Sequence, residues 1–195
     1  MNKEEVLNEF RDANALLEGH FLLSSGLHSE MYLQCARVMM DPERGARICK
    51  ALAEKINATI DKKIDIVVSP AMGGVIVGYE MGRQLGVPSI FTERVDGEFE
   101  LRRGFEIPKG ANVLMAEDIV TTGLSSKECI ETINKFGGNV VAASCLIDRS
   151  NGKIDVGVPL VSLIGLEIAA YDKDNLPDHL EGTDAVKPGS RDLKK

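Results

Sequence analysis

The chain has 195 residues, 44% of them hydrophobic, with 23 basic against 30 acidic side chains and a net charge of -7. That length suits a single domain with its own core, and the acidic balance argues against a general nucleic-acid binder. Four scattered cysteines without a CxxC pair, and three histidines without an HxxxH or HExxH pattern, support neither a disulfide framework nor a zinc site.

In chain order, Val6, Leu7, Phe10, Ala13, Leu16 and Leu17 share one helical face, which predicts a helix over residues 3–18 with Asn2 as N-cap and Gly19 as its stop. Residues 20–40 read as two short strands, "HFLLSS" and "EMYLQCARVMM", around a turn at Gly26. Asp41-Pro42 then opens a helix through Ile56. Residues 1–40 are expected to form an N-terminal helix and hood on a main body that spans residues 60–165.

From residue 64 the pattern becomes regular. "IDIVVS", "VPSIFTE", "NVLMAED" and "VVAASCLIDRS" read as strands, "GGVIVGYEMGRQLG" and "SSKECIETINKFGG" as helices, and "VPLVSLIGLE" as a last strand before a polar tail. Short apolar strands alternating with amphipathic helices predict an α/β fold, a mostly parallel central sheet covered by helices on both faces. Residues 94–110, "RVDGEFELRRGFEIPKG", are charged and glycine-bearing, and are expected to be a flexible functional loop. No apolar stretch approaches the roughly 20 residues of a membrane span, and "MNKEEVLNEF" has no signal-peptide core. A cytoplasmic protein without nucleic-acid or membrane partners is expected.

The stretch "VLMAEDIVTTGLSS", residues 113–126, ends a buried strand in two adjacent acids and follows them with small hydroxyl residues and a glycine before a helix. In a parallel sheet, ligands bind beyond the carboxyl ends of the strands. A tight loop of amides and hydroxyls at a helix N-terminus cradles phosphate. Carboxylates repel phosphate but accept hydrogen bonds from vicinal hydroxyls. Glu117 and Asp118 therefore fit a ribose, and the loop of Thr121, Thr122, Gly123, Leu124, Ser125 and Ser126 fits its 5-phosphate. For an acid pair taken alone, the bland alternative, a solvated strand-to-helix turn with an ordinary N-cap, is the better reading. A dinucleotide fold is disfavoured because Gly73, Gly74 and Gly78 do not make GxGxxG, although Glu93 follows at a suitable distance.

The order strand, two acids, two aliphatics, "TTG" and helix resembles the 5-phosphoribosyl 1-diphosphate (PRPP) motif of type I phosphoribosyltransferases. With "GHFLLSSGLHSEMYLQC", "VVSPAMGGVIVGYEMGRQLGV", "RRGFEIPKG", "CLIDRS" and "VKPGSR", the chain resembles the orotate phosphoribosyltransferases, in their shorter bacterial and archaeal branch, over residues 15–191. The resemblance implies transfer of ribose 5-phosphate from PRPP to orotate, with Mg2+ required and held mainly through PRPP rather than by protein ligands, in a homodimer. It implies that residues 117–125, Ile119 and Val120 among them, contact ribose and phosphate, and that Thr121 and Arg149 lie near orotate. The loop Ala71, Met72, Gly73, Gly74 would serve pyrophosphate, with a cis peptide between residues 71 and 73. Residues 94–104 align with a mobile loop that closes over PRPP, with Arg94 as a pyrophosphate ligand.

Several family cations are missing. Ser24 stands where "LKSG" carries lysine, Gly73 where "PAYKG" does, and the loop shows Val95, Asp96, Glu98 and Glu100 in place of lysines and a histidine. Arg102 and Arg103, from this chain or a neighbouring subunit, are expected to join Arg94 in handling that charge. Two other readings stand beside this one: a phosphoribosyltransferase for a purine or another base, and a non-catalytic regulator binding PRPP or a nucleotide.

Overall fold

Asn2 opens the first helix, α1 (Lys3–Asp12), with a capping box: its side chain accepts from the Glu5 amide at 2.9 Å while Glu5 accepts from the Asn2 amide at 2.8 Å. These details come from a computed structural model, which describes residues 1–23 and 25–187. The helix is six residues shorter than the periodicity predicts. Leu16 and Leu17 belong instead to β1 (Leu16–Leu22), which pairs antiparallel with β2 (His28–Leu33) from Leu16 opposite Leu33 to Leu22 opposite His28. An i, i+3, i+4 spacing that fitted a helix was overruled by cross-strand pairing.

The expected second strand also ends early. Cys35 to Met39 form a short helix, α2 (Cys35–Met39), that buries Cys35, Val38 and Met39. Asp41 then caps α3 (Pro42–Thr59) by accepting from the Glu43 and Arg44 amides, with Pro42 in the first turn where its missing N–H costs nothing.

The main body alternates as expected: β3 (Ile66–Pro70), α4 (Gly74–Leu85), β4 (Ser89–Val95), β5 (Glu98–Leu101), β6 (Asn112–Val120), α5 (Leu124–Lys135), β7 (Asn139–Asp148) and β8 (Leu160–Gly165). The six strands lie in the order β5-β4-β3-β6-β7-β8, parallel except for the antiparallel edge strand β5. Alternation along β3 and β6 sorts the core into two halves. Val67, Leu114 and Ala116 join a cluster with Ile48, Leu52, Val77 and Met81 of α3 and α4, while Ile66, Val68, Val113 and Met115 meet Cys129, Ile130 and Ile133 of α5. Both sheet faces are thus buried, which is why these strands read as unbroken apolar runs.

The segment 94–110 is only partly the irregular loop its composition predicts. Asp96 and Gly97, both at positive φ, turn β4 into β5 as a two-residue hairpin, and Phe99 and Ile107 are buried against the α5 side of the core. Glu98 and Glu100 face away from that core, while Arg94 lies on the Phe99 side and pairs with Glu128. The polar tail has structure too: Val186 accepts from the Leu22 amide and donates to the His20 carbonyl on the β1 edge of the hairpin, and Tyr171 pairs with His28 on the other edge. This segment seals the edges of the hood. Ser24, and residues 188–191 of the "VKPGSR" stretch, lie outside the described residues.

Candidate active site

Adjacent parallel strands β3 and β6 end side by side, and each feeds a helix whose first turn points back to the same place. After β3 the chain passes through Ala71, Met72 and Gly73 into α4, with a cis Ala71–Met72 peptide and the Ala71 amide tied to the Thr92 carbonyl at 2.8 Å. After β6 it passes through Thr121, Thr122 and Gly123 into α5. Neither helix has a side-chain N-cap. The Val75 amide donates to the Met72 carbonyl at 3.2 Å and the Leu124 amide to Thr122 Oγ1 at 3.4 Å; the other amides of the two first turns, with the positive ends of both helix dipoles, are available for anionic groups.

Glycines let these loops approach. A Cβ on Gly73 would lie 2.7 Å from Asp118 Oδ1, and one on Gly74 would lie 3.0 Å from the Ala116 carbonyl. Gly73 therefore brings the β3 loop directly against the β6 acid, a position no larger residue could hold. Gly123 adopts φ 74° at the head of α5, and a Cβ there would meet Ile154 at 2.6 Å.

The two acids are partly buried, and neither takes part in an ion pair among the described residues. Burial pushes the Glu117 carboxyl up to about 7, against the pull of a 2.6 Å hydrogen bond donated by Ser126 Oγ and of the Arg94 charge; neighbouring Asp118 adds to the rise. Burial also raises Asp118, opposed by the amides of Ile119 and of Asp118 itself. These are desolvated acceptors without a cation, a costly arrangement unless a ligand donates to them.

Arg149 presents the opposite case at the end of β7. Its amide donates to the Val120 carbonyl at 2.8 Å, which ties it to the end of β6. Its Nε is buried with no hydrogen-bond partner among the described residues, and burial lowers its pKa. Asp148 sets this turn, accepting from the Ser150 amide and hydroxyl at 2.8 and 2.6 Å and from the Gly152 amide at 2.7 Å. The sequence signal for that turn was Asp followed by Ser and Gly, an Asx-type pattern.

The three loop arginines differ. Arg94 donates to the Gly97 carbonyl at 2.5 Å, pairs with Glu128 of α5 and stacks 4.1 Å over the Phe99 ring. Arg103 is held by Glu93 through two bonds of 2.9 and 2.8 Å. Arg102 is exposed. Arg94 thus stands beside the acids, whereas Arg103 is already engaged by a carboxylate on its own hairpin. Sequence reading took Ser126 only as part of the hydroxyl loop and Glu93 only as part of the disfavoured dinucleotide pattern, and it did not single out Glu128 or Asp148, because nothing in linear spacing links a strand-end acid to a helix residue across a turn. Two clefts lie away from the strand ends: a groove of about 590 Å³ between α1 and α3, and a recess of about 520 Å³ between the hood and the C-terminal segment. Depth alone does not mark the site; unpaired buried polarity does.

Comparison with known proteins agrees with this geometry. A phosphoribosyl transferase domain profile matches residues 40–164. The orotate phosphoribosyltransferase of Sphingopyxis alaskensis is 59% identical over 194 residues, covering 99% of both chains, and that of Caulobacter vibrioides strain NA1000 is 58% identical over the whole of both. Among solved structures, the orotate phosphoribosyltransferase of Aeropyrum pernix superposes with a TM-score of 0.68 at 27% identity, covering 83% of this chain and 95% of that one. Adenine phosphoribosyltransferases at 19–20% identity share the fold. With the strand-end acids, the two uncapped helices and the matched relatives in agreement, the chain belongs to the orotate phosphoribosyltransferase family.

Proposed function

We propose that the chain transfers ribose 5-phosphate from PRPP to orotate, yielding orotidine 5'-monophosphate and pyrophosphate, a step of pyrimidine nucleotide synthesis. The observation that carries this reading is the pair Glu117-Asp118, desolvated and without an ion-pair partner among the described residues, near the end of β6 and ahead of an uncapped helix. Vicinal ribose hydroxyls donate to the carboxylates, while the 5-phosphate accepts from the amides of the 121–125 loop and the first turn of α5.

Chemistry at C1' then follows from charge. The bond from C1' to pyrophosphate breaks as orotate N1 closes on the opposite face, and positive charge develops on the sugar. Glu117 and Asp118 lie under that charge and stabilise it more than the neutral ground state. The departing pyrophosphate meets the amides of Ala71 to Gly74, the α4 dipole and Arg94, which must exchange Glu128 for the ligand. Arg149 holds the orotate carboxylate, filling the buried donor that the free protein leaves unpaired.

Mg2+ is proposed to arrive with PRPP, because this cation favours phosphate oxygens and water. When bound it supplies countercharge for the leaving pyrophosphate.

A homodimer is supported by the exposed apolar side chains of Ile76 and Tyr79 on α4 and Met72 in the loop before it, 51, 69 and 84% accessible. Ile76→Glu is expected to shift the protein to monomer in sedimentation; an unchanged species would remove these side chains from the interface. No helix among the described residues is long and apolar enough to cross a membrane. The four buried free thiols fit a reducing compartment, and the cytoplasm is the proposed location.

The functional assay mixes the protein with PRPP, Mg2+ and orotate and follows loss of orotate absorbance, with hypoxanthine, adenine and uracil as controls. Consumption of orotate alone is the expected result; consumption of a purine instead, or of no base, would overturn the assignment.

A further inference from the structure

Ser126 lies in the first turn of α5 and is 1% exposed. A buried helical serine commonly returns its proton to a carbonyl one turn earlier. Here the hydroxyl donates to Glu117 Oε2 at 2.6 Å, the length of a charge-assisted O–H to carboxylate bond. That contact crosses from helix to strand and fixes one carboxylate oxygen, leaving the other for a ligand hydroxyl.

The remaining surroundings of Glu117 are mixed. Asp118 follows it on β6 and opposes its charge; Arg94 from β4 favours it, with Glu128 of α5 holding that arginine. Cys129 of α5 and Cys145 of β7 also lie within its field. Burial pushes the Cys129 thiol up to about 12 and raises Cys145 as well, so both stay neutral across the working range and carry no charge toward the acid. A direct donor that favours the carboxylate against burial is therefore the hydroxyl of Ser126.

We propose that Ser126 is a positioning residue, which orients Glu117 and holds it as an anionic acceptor for the ribose diol, so that one turn of α5 both receives the phosphate and sets the sugar-binding acid. This rests on the ribose-phosphate reading of the site. It adds a registry between the two halves of the substrate: the helix turn that docks the phosphate also holds the acid that receives the hydroxyls. Neither Glu117 nor the helix could then shift alone without breaking the contact.

The test uses the full chain carrying Ser126→Ala, and Ser126→Cys as a second variant that fills the volume with a weaker donor. Carbon-13 NMR of the Glu117 carboxyl, assigned with Glu117→Gln, gives its titration midpoint in the ligand-free protein. The midpoint is expected to rise by about one pH unit in Ser126→Ala and by less in Ser126→Cys. The acid limb of kcat/KM for PRPP should move with it, giving a loss of about fivefold at pH 7 that closes above about pH 9. Midpoints and limbs that coincide with those of the unmodified protein would overturn the proposal, as would a uniform loss at every pH. Should the unmodified protein consume no orotate, the functional reading fails, while the NMR comparison still decides the role of Ser126.

Discussion

The end of β6 and the β4–β5 hairpin are neighbours that treat charge in opposite ways. Glu117 and Asp118 are desolvated and have no cationic partner, whereas Arg94 and Arg103 on the hairpin are each paired with a carboxylate, Glu128 and Glu93. Arg149, tied to the end of β6, follows the first pattern with its buried, unpaired Nε. The difference separates groups built to wait for a ligand from groups stabilised in its absence. The first kind costs folding energy and stays placed; the second must release a partner before it can act. A hairpin whose cations are engaged at rest suits a part that rearranges on binding, and a strand end held by Gly73, Ser126 and the Val120–Arg149 bond suits one that does not.

Arg149→Ala probes the waiting cation and should have the largest effect. KM for orotate is expected to rise by roughly 30- to 100-fold, as for loss of a hydrogen-bonded charge pair of about 2–3 kcal/mol, with much less change in PRPP affinity. Equal losses for both substrates would place Arg149 outside the base site. On the acid side, Asp118→Asn should keep the fold and lose at least ~10-fold in turnover, about 1.4 kcal/mol in the barrier. Gly73→Ala should match it without touching a charge, because the new methyl would displace the Asp118 carboxylate; turnover near that of the unmodified chain would show that this contact is slack.

Glu117→Gln sharpens the contrast through stability. The ordinary carboxyl value is 4.5 and the folded value is about 7, so between these the folded chain keeps a proton that the unfolded chain has released. Stability from this group is therefore lost as pH rises from about 4.5 to about 7. Replacing the acid should raise stability at pH 8 by on the order of 2 kcal/mol and change little at pH 4, read by thermal melts of the ligand-free protein. A variant that is less stable at pH 8 would show that Glu117 is not held against its own desolvation.

The smallest stability change belongs to the hairpin. Arg103 is exposed and pairs with a half-buried Glu93 at the surface, and Arg103→Ala should leave the melting temperature nearly unchanged. Kinetics carry the sharper question there. If Arg102→Ala and Arg103→Ala both keep turnover and PRPP affinity, the pyrophosphate charge falls to Arg94 and the helix amides, and the hairpin arginines lose their expected role.

Much of the architecture was legible because its signals are local. Apolar runs such as Val113 to Ala116 declare a doubly buried strand, Asp41-Pro42 declares a helix start, and the acids, hydroxyls and glycine of residues 117–125 carry donor and acceptor chemistry that few ligands match. Where sequence reading erred, the deciding contacts were distant. Leu16 and Leu17 fit a helix until β2 offers a strand, and the polar segment around Tyr171 and Val186 gains order only from hydrogen bonds to the hood.

The sequence by itself determined the layered α/β body, the strand-end position of Glu117 and Asp118 and the chemistry they invite, since hydrophobic period and side-chain type are properties of the chain. Only the tertiary structure decided which charges are paired. Ser126 on Glu117, Glu128 on Arg94, Glu93 on Arg103 and the empty donor of Arg149 depend on elements brought together by burial of the two core faces, and desolvation has no value until those neighbours are in place.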